Sequence, residues 1–136
     1  MARKSIWIRS HSKSWKPKVP DFTKSVVNSK AEKIIESSIK PTHVKEPPPE
    51  YKYNYLVDIF TKWHGRYFYF CSRYNCPGPN AISPFFDIKY ARLEYVDNDR
   101  FNLSYMRHTE KWQEVFFDLS LEECLNLVAE DPLFSP

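Results

Sequence analysis

The chain has 136 residues, 42% of them hydrophobic and 17% aromatic, with a formal net charge of +3, which suits one domain with a core rather than a disordered polymer. It contains no apolar run of about 18 residues that would cross a membrane, and its basic start lacks the apolar stretch of a secretory signal. Three cysteines are an odd number, which argues against a disulfide framework and for a reducing compartment, with the cytoplasm as the default.

Charge is unevenly spread. Residues 1–50 carry eleven Lys and Arg against five Asp and Glu, whereas residues 51–136 carry nine against twelve. Residues 1–19 form a basic arm in which Arg3, Lys4, Arg9, Lys13, Lys16 and Lys18 are interspersed with Trp7 and Trp15 and no acid occurs. Such an arm suits a phosphate backbone, with the indole rings stacking on bases. A solubilising tail whose tryptophans pack back onto the domain is the simpler reading, since six charges form no motif.

From residue 20 to 136 the pattern reads as a single α+β domain. Phe22, Val26, Val27, Ala31, Ile34, Ile35 and Ile39 recur at three- and four-residue steps and predict an amphipathic helix over 21–40, capped by Asp21 and stopped by Pro41. A linker over 41–50 holds Pro47-Pro48-Pro49, which favours an extended, semi-rigid spacer. Five strands are expected within 53–117, starting with the hairpin of "YNYLVDIFTKW" and "RYFYFCSRY" around Gly65. "PFFDIKYARLEYV", "RFNLSYMR" and "KWQEVFF" follow, joined by short polar turns and broken only by the "NCPGPNAISP" loop before the third strand, so the strands should form an antiparallel meander. Ser120 with Glu123 three residues on is a capping box, and a short helix is expected over 120–131. Both helices should pack on one face of the sheet.

Alternation then divides the sheet. Ala91, Leu93 and Tyr95, with Phe101, Leu103 and Tyr105, should lie under the helices. The opposite face should carry Tyr67, Tyr69, Cys71 and Arg73 from strand two, Tyr90, Arg92 and Glu94 from strand three, and Asn102, Ser104, Met106 and His108 from strand four. Tyrosines and arginines on an open sheet can stack single-stranded bases or bind a protein. Of these, Tyr67, Tyr69, Arg73, Tyr90, Arg92, Met106 and His108 are the candidate partner-binding face. The RNA-recognition-motif signature is not met, because Tyr67 and Tyr69 stand where small residues are needed.

Chemistry is poorly represented. Two glycines cannot make a phosphate-cradling loop, and no His-Glu-x-x-His pattern occurs. No catalytic set is assigned; only His108 adjoins the sheet, and an enzyme would need it beside a carboxylate or Cys71. Cys71 and Cys76 would lie about 16 Å apart on an extended strand, beyond the ~7 Å reach of a disulfide. As metal ligands they would need a bend and two further donors, so no metal and no cofactor is expected.

The motifs Ala91 to Tyr95, Phe101 to Arg107, Lys111-Trp112, and Asp131-Pro132 with Phe134 follow one another in an order that resembles an uncharacterised bacterial family, a domain of unknown function. The resemblance spans about residues 50–136 and implies no functional residue. The leading expectation is a non-catalytic binding module that associates with nucleic acid through the arm and the tyrosine face. The alternatives are a protein–protein adaptor or homodimer using the sheet face or edge, and a small enzyme.

Overall fold

The computed structural model describes residues 17–47 and 53–136, and seven of the eight arm residues singled out above (Arg3, Lys4, Trp7, Arg9, Lys13, Trp15 and Lys16) lie outside them, as do Pro48 and Pro49. Helix α1 (Asp21–Ile34) runs through a π-helical turn (Ile35–Ile39) into a final turn α2 (Lys40–His43). Five strands follow: β1 (Tyr55–His64), β2 (Tyr67–Asn75), β3 (Phe85–Asp97), β4 (Arg100–Met106) and β5 (Trp112–Leu119). Helix α3 (Leu121–Glu130) and a 3-10 turn (Pro132–Phe134) complete the order. The sheet is antiparallel in the order β1-β2-β3-β4-β5, a meander with both helices on one face, its connections short except for the loop 76–84 between β2 and β3.

The core lies between helices and sheet. Val27, Ala31, Ile35 and Ile39 from the first helix and Leu121, Cys124, Leu125 and Val128 from α3 meet Ile59, Phe68, Phe70, Ala91, Leu93, Phe101 and Leu103. Val19 and Phe134 are buried in the same cluster, so both flanks of the described chain are tied into it. Arg66, in the β1–β2 turn, donates to the carbonyls of Pro17 and Tyr95 and secures the entry to α1. Lys18, the one described basic residue of the arm, is exposed.

Two expectations about the first helix are corrected. Asp21 does not cap it; Pro20 is the N-cap, and Asp21 sits in the first turn, where a carboxylate complements the positive end of the helix dipole. Pro41 does not stop it either. Proline lacks an N–H and its ring crowds the carbonyl four residues back. Here the preceding turn widens, with the Lys40 N–H donating to the Ile35 carbonyl, and the helix continues to His43. Ser37 and Thr42 hydroxyls donate to the carbonyls of Lys33 and Ser38, both at 2.7 Å, and help hold this stretch.

Positive φ is not left to glycine: Gly65 takes it at 60°, but so do Asn98, Glu110 and Asp118. Asn98 and Asp118 belong to the types that tolerate this region best.

The capping box forms as expected. Ser120 Oγ accepts from the Glu123 N–H at 3.2 Å, and the Ser120 N–H donates to Glu123 Oε1 at 3.0 Å. Hydrogen bonding from the Ser120 backbone, then from its side chain, holds the Glu123 carboxyl below its ordinary range. Ser120→Ala should therefore cost about 0.5–2 kcal/mol, read as a lower urea midpoint with an unchanged slope.

Candidate binding face

One face of the sheet is covered by the helices; the other carries a connected set of cations and rings. On this uncovered face Arg92 of β3 stands opposite Tyr69 of β2 and Ser104 of β4. Its Cζ lies 4.4 Å from the Tyr67 ring centre and 4.7 Å from that of Trp112. Lys89 Nζ lies 4.4 Å from the Tyr69 ring centre. Tyr69 in turn is 5.7 Å from Trp112 and 6.1 Å from Tyr67, centre to centre. Ser104 is small, which leaves room for Trp112, on edge strand β5, to reach across β4 to rings on β2. Tyr69 is buried beneath this array although no helix among the described residues covers it.

A second group lies further along β2 and β3. Arg73 donates to both carboxylate oxygens of Asp87, at 2.8 and 3.0 Å, and its Cζ lies 4.4 Å from the Phe85 ring centre and 5.4 Å from that of Phe60. The guanidinium holds the Asp87 carboxyl below its usual range. Arg73 is thus internally neutralised. Lys62, opposite Tyr69 in β1, Lys89 and Arg92 are not: among the described residues none has a carboxylate within 4.0 Å. The Arg92 Nε is buried with no hydrogen-bond partner there.

Several candidate residues fall where alternation puts them. Tyr67, Tyr69, Cys71, Arg73 and Arg92 share the uncovered face, and Met106 lies beside it opposite Trp112. His108 is exposed in the β4–β5 turn, and among the described residues no hydrogen bond ties it to a carboxylate or to Cys71.

Tyr90 is a correction. Between β2 and β3 the register slips, with Phe70 opposite Ala91 but Cys71 opposite Lys89, so Tyr90 is the extra residue of a β-bulge. It joins the helix-side core, its ring 6.2 Å from Phe70. Lys89 takes the place on the uncovered face that alternation assigns to Tyr90. A similar slip at Val57 in β1 brings Leu56 against the core. Trp112, Lys62, Lys89, Phe60 and Phe85 are the members of the face that sequence reasoning missed. The adjacent pair Tyr90-Ala91, both suited to burial, is the local signal for the bulge.

The cysteines make no site together. All three are free; Cys71 is buried in β2, and Cys76 lies past its end with its N–H bonded to the Pro84 carbonyl at 2.8 Å. Among the described residues no group of three or more His, Cys, Asp or Glu is placed to hold a metal ion. Nor is any helix there long and apolar enough to cross a membrane. A recess of about 430 Å³ at the β1 edge is lined by Glu32, Glu36, Lys40, Asp58 and Phe60 among others. Lys40 spans its carboxylates, 2.6 Å from Glu36 and 3.1 Å from Asp58, and its pKa is raised chiefly by the Glu36 hydrogen bond.

Burial gives the fold an alkaline limit. It pushes the Cys124 thiol up to about 12 and raises Cys71, Tyr74 and Tyr90 as well. Above about pH 9, where free thiols ionise, the folded chain keeps these protons and the unfolded chain loses them. Stability should therefore fall as pH rises, with Cys124 alone accounting for about 2 kcal/mol by pH 10.5. Urea unfolding at neutral and alkaline pH checks this, and Cys124→Ala should flatten the dependence.

No curated protein and no solved structure matches the chain. One family profile does, described as Domain of unknown function (DUF3024), over residues 19–136. The match extends beyond the sequence resemblance at 50–136 and takes in the first helix. The buried Val19 at its start and the packing of α1 on the sheet show why the helix is part of the unit. The chain belongs to this family of domains of unknown function, DUF3024.

Proposed function

We propose that the uncovered sheet face binds single-stranded nucleic acid, with Lys62, Lys89 and Arg92 meeting phosphates and Trp112 and Tyr67 offering rings to bases. The carrying observation is Arg92, within 4.7 Å of two ring centres and without a carboxylate partner among the described residues. A guanidinium with its faces against rings can donate only from its edge, the geometry that suits a phosphate oxygen. Single-strand sites combine such cations with aromatic platforms. The basic residues Arg3, Lys4, Arg9, Lys13, Lys16 and Lys18, with Trp7 and Trp15, would add contacts along the strand. The three free cysteines suit a reducing setting, which we take to be the cytoplasm.

Fluorescence anisotropy with labelled mixed-sequence DNA and RNA tests this, using the full chain and a form lacking residues 1–16. That truncation leaves Val19 and the Arg66–Pro17 contact in place. Affinity should fall with rising salt, by a log–log slope of about 0.7 per phosphate contact, and the truncated form should keep a shallower slope. Absence of binding by the full chain at low salt would end the proposal.

A further inference from the structure

Strand β3 is 13 residues long, but β4 pairs with only its second half, from Ala91 opposite Tyr105 to Asp97 opposite Arg100. Residues 85–89 pair with β2 on one side and, among the described residues, have no strand on the other. Free edges are normally blunted by proline, a bulge or inward charge. This one has the Tyr90 bulge at its end and Asp87 and Lys89 within it, but no proline between Phe85 and Lys89, and it exposes Phe85, Phe86 and Ile88. Its apolar side chains continue into the exposed Ile82 of the preceding loop.

We propose that a second copy of the chain pairs antiparallel along this edge, with Ile88 opposite Ile88 of the second copy. Charge complementarity favours a second copy, and this register over those centred on the neighbouring Asp87 and Lys89. A two-fold axis through the sheet must place side chains of the same face opposite each other, so it passes through a residue rather than between two. Centred on Asp87 or on Lys89, it sets like charges against each other, which opposes pairing. Centred on Ile88, it sets Asp87 opposite Lys89 twice and Phe86 opposite Tyr90 twice. Pairing stops near Tyr90 because β4 takes the edge from Ala91 onward. The two sheets become one of ten strands, with both uncovered faces on the same side. This inference does not depend on nucleic-acid binding.

Sedimentation of the protein alone, from micromolar concentration upward, should show a monomer–dimer equilibrium, and Ile88→Lys should remove the dimer while keeping the native far-UV spectrum. The register is tested by disulfide trapping in a Cys76→Ser background, where the remaining cysteines, Cys71 and Cys124, are buried. Residues directly opposite in an antiparallel pair lie about 4.5–5.5 Å apart at Cα, within disulfide range, so Ile88→Cys should give a covalent dimer in a glutathione buffer. Phe86→Cys should not, since four residues separate it along the strand from its counterpart. A wild-type protein that stays monomeric at all concentrations overturns the proposal, as does trapping by Phe86→Cys as fast as by Ile88→Cys.

Discussion

Replacing Phe68 by alanine should remove about 3–5 kcal/mol of stability, a large share of the roughly 5–15 kcal/mol that holds such a domain together. Phe68 is fully buried on the helix side of β2, opposite Leu93 of β3 and Trp63 of β1. Its ring centre lies 4.9 Å from that of Trp63 and 5.5 Å, edge-on, from that of Phe70. Those neighbours are fixed by the ladders of adjacent strands, so the space left by the ring cannot close and its lining loses contacts outright. Guanidinium unfolding measures the loss. Phe117→Ala serves as the control, because Phe117 is 60% exposed and its removal should change stability by no more than about 0.5 kcal/mol.

Trp112→Ala should weaken binding to a single-stranded oligonucleotide by about 5- to 150-fold, the range for losing one base–ring stack. It also takes away one of the two rings against Arg92 and the neighbour of Tyr69. Arg92→Ala should weaken binding too, and should lower the salt slope by about 0.7, one phosphate contact. Arg92→Lys should not restore it, since an ammonium has neither a planar face to lie on Tyr67 nor a fork of edge donors. Melting temperatures of all three variants separate these effects from unfolding. Unchanged affinity in both Trp112→Ala and Arg92→Ala would remove this face from the binding account.

The class of fold was legible because its signals are local. Each strand alternates over most of its length, all the strand connections but the loop 76–84 are short enough to leave only antiparallel neighbours, and the Ser120–Glu123 box sits wholly within one helix turn. What was not legible depends on pairing between strands. The slip at Tyr90 is a relation between β2 and β3, and it reverses which face every residue before it occupies. For that reason Tyr90 reads as a face residue and lies in the core, while Lys89 is passed over and lies on the Tyr69 ring. Trp112 escaped for a different reason. Its strand is the far edge from β2, with β3 and β4 between, yet the indole reaches Tyr69 and Arg92 across them. Pro41 misled because a proline is compatible with a helix when the turn before it widens, and that widening has no sequence rule of its own.

The edge of β3 and its uncovered face make separable demands on the same strand. Phe86 and Ile88 would serve pairing with a second copy, while Lys89 and Arg92 lie on rings of the uncovered face. Asp87 belongs to both, held by Arg73 in its own sheet and facing Lys89 in the proposed pair. Ile88→Lys should therefore abolish the dimer and leave oligonucleotide affinity per chain within about twofold, provided binding is to one face at a time.

The most direct measurement is a titration of the isotope-labelled protein with a short single-stranded oligonucleotide, followed by amide and indole resonances. Binding to the uncovered face predicts that the Trp112 indole N–H and the amides of Tyr67, Tyr69, Lys89 and Arg92 move together. Amides of α1 and α3 should stay in place. Shifts confined to the helices, or none at saturating oligonucleotide and low salt, would contradict it.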